Sequence, residues 1–484
     1  MKKIIHLLSF VFASLFSQGF AQTGHEIIFN IKGLKEGGKV QFAYYQGDKK
    51  LLQDTVFVTN NQFVVKGKEA LQRGLYLVAL PDLGYFDIVI SDDQFFEIET
   101  DPNNMIAAMK IKGNDENTFF YEYLRKVKPL QDGMISKSEA YTKDSCSKVE
   151  NNENKVCKVL FSEITDLQNK LKIVKDEYIK AHPSFLTSTM FQATEEVEVP
   201  LYSEIKDEKI RQEKRFNYYK QHYFDNINLK ENGLIRTPIL EDKIDKYFKD
   251  LTFQICDSVK KSADLVVAKA NDKTMFKYLL THITTKYEKS NIMCMDCMTL
   301  HMFDKYYIKD SLKVDWVNKE TRKKLQEEVW KLEFNQCGKQ VYPLVMKDTN
   351  GVKHDILKLD AEYTILFFWS ATCGHCKKSA PKLLEMYHRL KEEYNLEVYS
   401  VHIDKSRTEF DKYVKENKFD WILTIDDGTN ETYRTAYNVF STPTVYLLNS
   451  KKEIIAKKVD LSVLEKIITG KDVVPSEEED HHDH

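Results

Sequence analysis

The chain has 484 residues, of which 42% are hydrophobic and 30% are charged, and its formal net charge is −3. This length is too great for a single core and predicts about three domains, because a domain averages roughly 150 residues. Ordinary apolar content and balanced charge indicate a soluble multidomain protein and argue against a nucleic-acid partner.

Residues 1–21 have the pattern of a secretory signal peptide. Lys2 and Lys3 precede an apolar stretch from Ile4 to about Phe16, and Ala21 ends the segment with a small side chain. The stretch is shorter than the roughly 20 apolar residues that a membrane span needs. We therefore expect cleavage after Ala21 and no transmembrane segment thereafter. The mature chain is expected in the periplasm or cell envelope, where disulfides persist.

Residues 22–112 alternate apolar and polar side chains in short runs separated by turns. A period of two is typical of strands with one buried face. Seven such runs predict an all-β, sandwich-like domain. The runs are IIFNIKGL, KVQFAYY, DTVFVT, QFVVKG, GLYLVAL, FDIVIS and FFEIET.

Residues 113–335 instead place apolar side chains at spacings of three and four, which indicates amphipathic helices and an α-helical middle domain. We expect this domain and the β-rich domain to fold independently of the C-terminal region, with a protease-sensitive boundary near residues 335–339. The helical segments are NKLKIVKDEYIKAH, EKIRQEKRFNYYKQHYF, PILEDKIDKYFKDLTFQICDSVKKS, TMFKYLLTHITTKY and KETRKKLQEEVWKLEF.

The helical segment contains five cysteines. Cys146 and Cys157 would lie roughly 16 Å apart in one helix. The turn-like sequence NNEN at 151–154 would bring two helices side by side, so a structural disulfide between these cysteines is one expectation. Cys256 is assigned to the core.

Cys294 and Cys297 form a CxxC motif among methionines. Three interpretations remain open for it: small apolar residues in a buried helix, a relay dithiol, or a soft Cu(I) site. Cys337, which follows the helical segment, has no evident partner in the sequence.

Residues 336–470 alternate strands and helices, which predicts an α/β domain with a central sheet. Residues 471–484 form an acidic, His-rich tail that is expected to be disordered. The predicted elements of the α/β domain are strands at 341–348, 364–369, 396–404, 444–449 and 453–458, and helices at 377–394, 407–417 and 461–468.

A second CxxC motif, Cys373 and Cys376, lies between a buried strand and a helix of this domain. Zinc would need a further pair of ligands, so no metal is expected. A purely structural disulfide between residues three apart would stabilise the fold little, because the loop that it closes is very short. A redox role remains. Backbone N–H groups and the helix dipole favour a thiolate at Cys373. Cys376, one turn deeper, would then resolve the mixed disulfide.

The motif WSATCGHC, the proline at Pro381, the strand VHID and the motif STPT together resemble the thioredoxin-like family, and most closely its periplasmic TlpA-type thiol-disulfide oxidoreductases. The resemblance implies a thioredoxin-like fold at 336–470 and a redox-active, catalytic Cys373–Cys376 disulfide without a cofactor. It also implies a cis-proline loop that binds substrate. The preceding domains resemble envelope domains of unknown function. The implied substrate-binding residues are Trp369, His375, Thr442 and Pro443.

Two departures from the family concern proton transfer. Phe367 stands where thioredoxins hold a buried acid, and Ser379 stands where TlpA-type proteins often hold a glutamate. Water or Glu385 is then left to accept the proton of Cys376. His375 gives the sequence CGHC, as in protein disulfide isomerases, and an imidazolium there would stabilise the Cys373 thiolate.

The sequence therefore predicts an exported oxidoreductase that exchanges disulfides with envelope proteins and with an upstream electron donor or acceptor. One alternative is an envelope ligand-binding or scaffold protein with a vestigial redox domain. Another is a thiol peroxidase, for which Ser370 is suitably placed but Leu366 replaces the motif's proline.

Overall fold

The structure is a computed structural model that divides the chain into two compact units, Met1–Tyr247 and Phe248–His484. The predicted signal peptide and all but the first residue of the predicted tail lie outside the described residues. None of the helices within the described ranges is both long and apolar enough to cross a membrane. The described residues are 23–143, 146, 155–404, 407–430 and 432–471.

The first unit begins with two four-stranded sheets, which confirms the predicted all-β domain. Their strand orders are β4-β1-β7-β8 and β3-β2-β5-β6. The inward aromatic rings of Phe29 and Phe86, one from each sheet, lie 6.3 Å apart, so the two sheets share a core. The strands are β1 His25–Ile31, β2 Lys39–Gln46, β3 Lys49–Phe57, β4 Gln62–Gly67, β5 Gly74–Leu80, β6 Gly84–Ile90, β7 Phe95–Thr100 and β8 Lys110–Lys112.

Helices follow in the remainder of the first unit. The helices are α1 Met105–Ala108, α2 Asp115–Lys143, α3 Lys155–Ala181, α4 Leu186–Ala193, α5 Glu208–His222 and α6 Pro238–Asp250. The two longest, α2 and α3, run antiparallel. The rings of Tyr123 in α2 and Tyr178 in α3 are 5.3 Å apart, and further along α2, Lys137 pairs with Glu163 of α3 at 2.7 Å.

The second unit opens with four helices, the last of the predicted helical region. The sequence pattern at 238–262 is continuous, but the structure breaks it between α6 and α7. The side-chain amide of Gln254 donates to the carbonyls of Phe248 and Thr252, at 2.6 and 2.8 Å. It thus competes with the backbone bonds of a continuing helix. The helices are α7 Cys256–Ala268, α8 Lys273–Glu288, α9 Asp296–Met302 and α10 Lys319–Glu333.

A mixed seven-stranded sheet completes the second unit, with strand order β10-β9-β13-β12-β11-β14-β15. Its elements follow the predicted order and add β10, β13 and α13, which the sequence pattern did not reveal. The elements are β9 Val345–Asp348, β10 Lys353–Asp355, β11 Tyr363–Trp369, α11 Gly374–Leu390, β12 Leu396–His402, α12 Thr408–Asn417, β13 Ile422–Ile425, α13 Thr432–Ala436, β14 Thr444–Leu448, β15 Ile454–Lys457 and α14 Leu461–Thr469.

Strand β11 lies at the centre of this sheet because both of its faces are apolar. Phe367 and Trp369 pack into a core on the side of α11, whereas Leu366 and Phe368 pack into a second core on the opposite face. A strand buried on both faces reads as a continuous apolar run rather than as an alternation. The turn that follows β11 is consequently anchored at the middle of the domain.

The junction between α10 and the sheet is buried rather than open. Asn335 is 3% exposed, and its side-chain oxygen accepts a hydrogen bond of 3.0 Å from the hydroxyl of Tyr446. The Nζ of Lys457 donates to the Asn335 carbonyl and, at 2.5 Å, to a carboxylate oxygen of Asp296. Gly338 donates to the carbonyl of Ile454 at 2.8 Å. These contacts show that α7 to α10 belong with the C-terminal sheet. In contrast to the boundary expected from the sequence, we therefore expect residues 335–339 to resist proteases.

Lys457→Met should destabilise this junction. Breaking a buried ion pair costs about 3–5 kcal/mol, and the partial exposure of Asp296 should reduce the cost to about 2 kcal/mol. Urea unfolding of the full chain measures the change, with Lys458→Met as the control because Lys458 is the exposed neighbour. Equal unfolding midpoints for the two variants would show that Lys457 does not hold the junction.

Candidate active site

The CxxC motif occupies the turn between β11 and α11. Cys373 is the N-cap residue of the helix, and its sulfur accepts a hydrogen bond of 3.4 Å from the backbone N–H of Cys376. An N-cap side chain satisfies helix N–H groups that have no partner within the helix. The Cys373 sulfur is partly exposed, whereas Cys376 is fully buried. Both thiols are free. The structure thus gives the two sulfurs different environments.

The environment of Cys373 favours its thiolate. Partial burial by itself raises the pKa of this thiol. Hydrogen bonds from the side chains of Thr442 and Cys376 and from the backbone N–H groups of Cys376 and His375 outweigh that effect, so the pKa lies below the ordinary value of 9.0. Because the thiolate is the nucleophilic form, Cys373 is the sulfur prepared for attack.

The environment of Cys376 has the opposite effect. Burial, together with the hydrogen bond and the charge of Cys373, raises the pKa of Cys376 to about 12, despite hydrogen bonds from Ser370 and Thr442 that act to lower it. Cys376 therefore remains a thiol at neutral pH until a proton acceptor or a mixed disulfide at Cys373 changes its surroundings.

A second loop faces the motif from the neighbouring strand. Strand β14 is antiparallel to β11, with Thr444 opposite Phe368, so the residues before β14 lie beside the turn after β11. The peptide bond between Thr442 and Pro443 is cis. The thiol of Cys373 donates to the Thr442 carbonyl at 3.3 Å. The loop and the reactive sulfur therefore form one surface.

The remaining predicted site residues occupy different positions. His375 is exposed beside the motif. Trp369 is fully buried and its ring packs against His402 and Phe410, so it presents no surface to a substrate and instead supports the turn from below. The prediction that Trp369 binds substrate conflicts with this position, because the residue is the buried end of β11.

The predicted proton acceptor Glu385 is remote from Cys376. It lies nine residues further along α11, a rise of roughly 13 Å, and its side chain is exposed. Phe367 is buried in the core, and the Ser379 hydroxyl donates to the carbonyl of His375 at 3.0 Å. Phe367 and Ser379 therefore supply no carboxylate to the buried thiol of Cys376.

A carboxylate that the sequence reasoning missed lies beside the motif. The Asp404 carboxylate accepts hydrogen bonds from the hydroxyls of Ser370 and Thr372, the latter at 3.2 Å. Asp404 also lies 3.6 Å from the ring of His402, whose burial lowers its pKa and favours the neutral imidazole. Ser370 and Asp404 follow the adjacent parallel strands β11 and β12. Polar residues at the carboxyl ends of neighbouring strands are a sequence signal that would have identified this pair.

The other six cysteines are all paired among the described residues. The structure joins Cys146 to Cys157 in a disulfide, whereas the turn predicted at 151–154 lies outside the described residues. The expectation of an unpaired core Cys256 and an unpartnered Cys337 is wrong. Cys256 is bonded to Cys297 and Cys337 to Cys294, because the α7–α9 contact and the junction after α10 bring these distant positions together.

Three family models match separate parts of the chain. Residues 360–454 match a family described as thioredoxin-like. Residues 25–120 and 145–332 match two families described as domains of unknown function, DUF4369 and DUF5106 respectively. The matches follow the order of the β-rich, helical and α/β regions along the chain.

Several known proteins are similar to parts of the chain. The thiol-disulfide oxidoreductase ResA of Bacillus cereus is 26% identical over 132 residues, which cover 27% of this chain and 75% of ResA. The sporulation thiol-disulfide oxidoreductase A of Bacillus subtilis is 27% identical, over 22% of this chain and 63% of its own length. A crystal structure of a thioredoxin-like protein from Bacteroides caccae aligns with 57% of this chain and 98% of its own, at 19% identity and a TM-score of 0.45.

The CxxC turn and the cis-proline loop lie within the range that matches the family model. The free CxxC pair, the cis-proline loop beside it and the central sheet all lie in or next to the region that matches the family model. The chain therefore contains a thioredoxin-like region at residues 360–454 and is similar to known thiol-disulfide oxidoreductases.

Proposed function

We propose that this protein is an exported thiol-disulfide oxidoreductase that exchanges disulfides with protein substrates through Cys373 and Cys376. The observation that carries the proposal is the placement of the two sulfurs, with Cys373 partly exposed at the N-cap of α11, where its pKa is lowered, and Cys376 buried one turn on, where its pKa is raised. A nucleophile that is a thiolate and a resolving thiol that stays protonated are what a two-step exchange needs.

The exchange proceeds in two balanced steps. The Cys373 thiolate attacks one sulfur of a substrate disulfide, which forms a mixed disulfide and releases the other substrate sulfur as a thiolate that takes up a proton. Cys376 then loses its proton and attacks Cys373. The second substrate thiol leaves, and the Cys373–Cys376 disulfide remains. The substrate gains two electrons, and an upstream dithiol donor restores the pair. The same steps in reverse oxidise a substrate dithiol.

Residues around Cys373 orient the substrate in this proposal. The backbone of Thr442 and Pro443 lies beside the sulfur and offers polar groups to an extended substrate segment. His375 is exposed at the rim, where it contacts the substrate directly. Trp369 acts from beneath by fixing the end of β11, and Asp404 holds Ser370 and Thr372 in the turn.

An extracytoplasmic location is part of the proposal. The disulfides at Cys146–Cys157, Cys256–Cys297 and Cys294–Cys337 support it, because such bonds persist in oxidising compartments. Export by the predicted signal peptide would deliver the chain to the cell envelope, where the substrates are disulfide-containing proteins.

Turnover of a protein disulfide tests the proposal as a whole. The full chain, with dithiothreitol as electron donor, should accelerate the reduction of insulin, and the Cys373→Ser variant should not exceed the uncatalysed rate. Failure of the unsubstituted protein to accelerate insulin reduction, with its CxxC pair shown to be reducible, would favour the scaffold alternative instead.

The two cysteines should give opposite results in a trapping experiment. Cys376→Ser retains the attacking thiolate but lacks the resolving thiol, so mixed disulfides with envelope proteins should accumulate. Cys373→Ser should trap none, because the buried Cys376 is protonated and inaccessible. Non-reducing electrophoresis followed by reduction measures the trapped partners. Trapping by Cys373→Ser alone would reverse the assignment.

Thr442→Val should weaken the nucleophile by removing the hydroxyl that donates to the Cys373 sulfur. A hydrogen bond to a charged group contributes about 1.5–3 kcal/mol, so the pKa of Cys373 should rise towards its ordinary value. The pH dependence of iodoacetamide alkylation in the Cys376→Ser background measures the pKa.

Thr444→Val is the matched control for this measurement, because the Thr444 hydroxyl donates to the Ser441 carbonyl at 2.7 Å in the same loop. The control should leave the alkylation profile unchanged. An equal shift in both variants would mean that the loop backbone, and not the Thr442 hydroxyl, sets the pKa of Cys373.

A further inference from the structure

Two disulfides of the second unit are neighbours. Cys256–Cys297 and Cys294–Cys337 have Cα–Cα distances of 6.1 and 5.7 Å. The Cys256 sulfur lies 3.5 Å from the backbone carbonyl oxygen of Cys294, which belongs to the other disulfide. The four cysteines therefore form one cluster, and the CxxC motif at 294–297 contributes one sulfur to each bond.

The backbone of that motif also permits a direct bond between its own cysteines. The N–H of Cys297 donates to the carbonyl of Cys294 at 3.5 Å, which closes a turn. In a closed turn the first and fourth Cα atoms lie within about 7 Å, and disulfides span about 4.4–6.8 Å between Cα atoms. The turn thus gives Cys294 and Cys297 a Cα separation comparable with that of bonded cysteines.

The cluster is accessible from solvent at three of its sulfur-bearing residues. Cys256, Cys294 and Cys337 are partly exposed, whereas Cys297 is buried. Large apolar side chains immediately before the first two, Ile255 and Met293, are exposed as well. Cys294 has a φ of +65°, a left-handed conformation that is disfavoured for residues with a side chain and is concentrated at functional sites.

We propose that Cys256, Cys294, Cys297 and Cys337 form a second thiol-disulfide exchange site, separate from Cys373 and Cys376, that accepts two electrons from a dithiol. A thiolate of the dithiol attacks the Cys337 sulfur and releases Cys294 as a thiolate. Cys294 attacks Cys297, which forms the Cys294–Cys297 bond and releases Cys256 as a thiolate that takes up a proton. The second thiol of the dithiol then attacks the mixed disulfide, releases Cys337 as a thiol and leaves the dithiol oxidised.

The product of this exchange has different free thiols from the product of simple reduction. Two disulfides become one, and the free thiols belong to Cys256 and Cys337 rather than to one original pair. Cys337 packs against the core beneath the C-terminal sheet and directly follows the buried junction at Asn335. Exchange therefore breaks the Cys294–Cys337 bond to that junction and the Cys256–Cys297 bond between α7 and α9, and it forms a new bond within the CxxC motif.

A single substitution in the full chain tests the internal step. In a background with Cys373→Ser and Cys376→Ser, the further change Cys337→Ser leaves Cys294 without its partner. The proposal expects Cys294 to displace Cys256, so that alkylation under acid-quenched, non-reducing conditions labels Cys256. Peptide mass spectrometry locates the label. A label that remains on Cys294 or Cys297 would overturn the proposal.

Cys157→Ser in the same background is the matched control, because it frees one cysteine of the separate Cys146–Cys157 disulfide. The label should then lie on Cys146, with the four-cysteine cluster unlabelled. Neither result depends on activity at Cys373 and Cys376, so the failure of this proposal and the failure of the proposed oxidoreductase function are distinguishable.

Stepwise reduction with dithiothreitol tests the same exchange without altering the cluster, and it decides the question if Cys337→Ser does not fold. Cys294 and Cys297 lie on one tryptic peptide between Lys289 and Lys305. In the Cys373→Ser, Cys376→Ser background, the first product of the cluster should carry that peptide in its internally bonded form, with label on Cys256 and Cys337. Label confined to either original pair would refute the exchange.

Discussion

The hydrogen bond from the Cys376 backbone N–H to the Cys373 sulfur is the interaction on which the site depends. It exists because a buried strand ends at Trp369 and a helix begins at Gly374, so helix N–H groups without internal partners point at the intervening residue. The same turn directs Cys376 into the core. One backbone geometry therefore helps to lower the pKa of Cys373, together with the side chains of Thr442 and Cys376, and it buries Cys376, which raises the pKa of that thiol.

The rest of the domain keeps that turn in place. Strand β11 has apolar side chains on both faces and lies between β12 and β14, so three segments distant in sequence meet at its end. One brings Asp404 to the hydroxyls of the turn, and another brings the Thr442 carbonyl to the sulfur. The reactivity of Cys373 is thus a property of the sheet as well as of the helix.

The free cysteines and the disulfide-bonded cysteines lie in different parts of the chain. Among the described residues only Cys373 and Cys376 are free, and the other six are bonded. The bonded cysteines of the second unit nevertheless include a CxxC motif whose sulfurs are shared between two adjacent disulfides. Because these two disulfides are adjacent, the exchange that we propose between them does not require distant segments of the chain to come together.

The sequence by itself determined the order of the β-rich, helical and α/β regions, seven N-terminal strands and the position of the CxxC motif of Cys373 and Cys376 between a strand and a helix, because each depends on local periodicity or on spacing within one turn. The tertiary structure alone decided the partners of Cys256 and Cys337, the burial of Trp369 and the place of Asp404. It also ended α6 early, through Gln254. These features arise from contacts between residues far apart in the chain, which a periodic pattern does not encode.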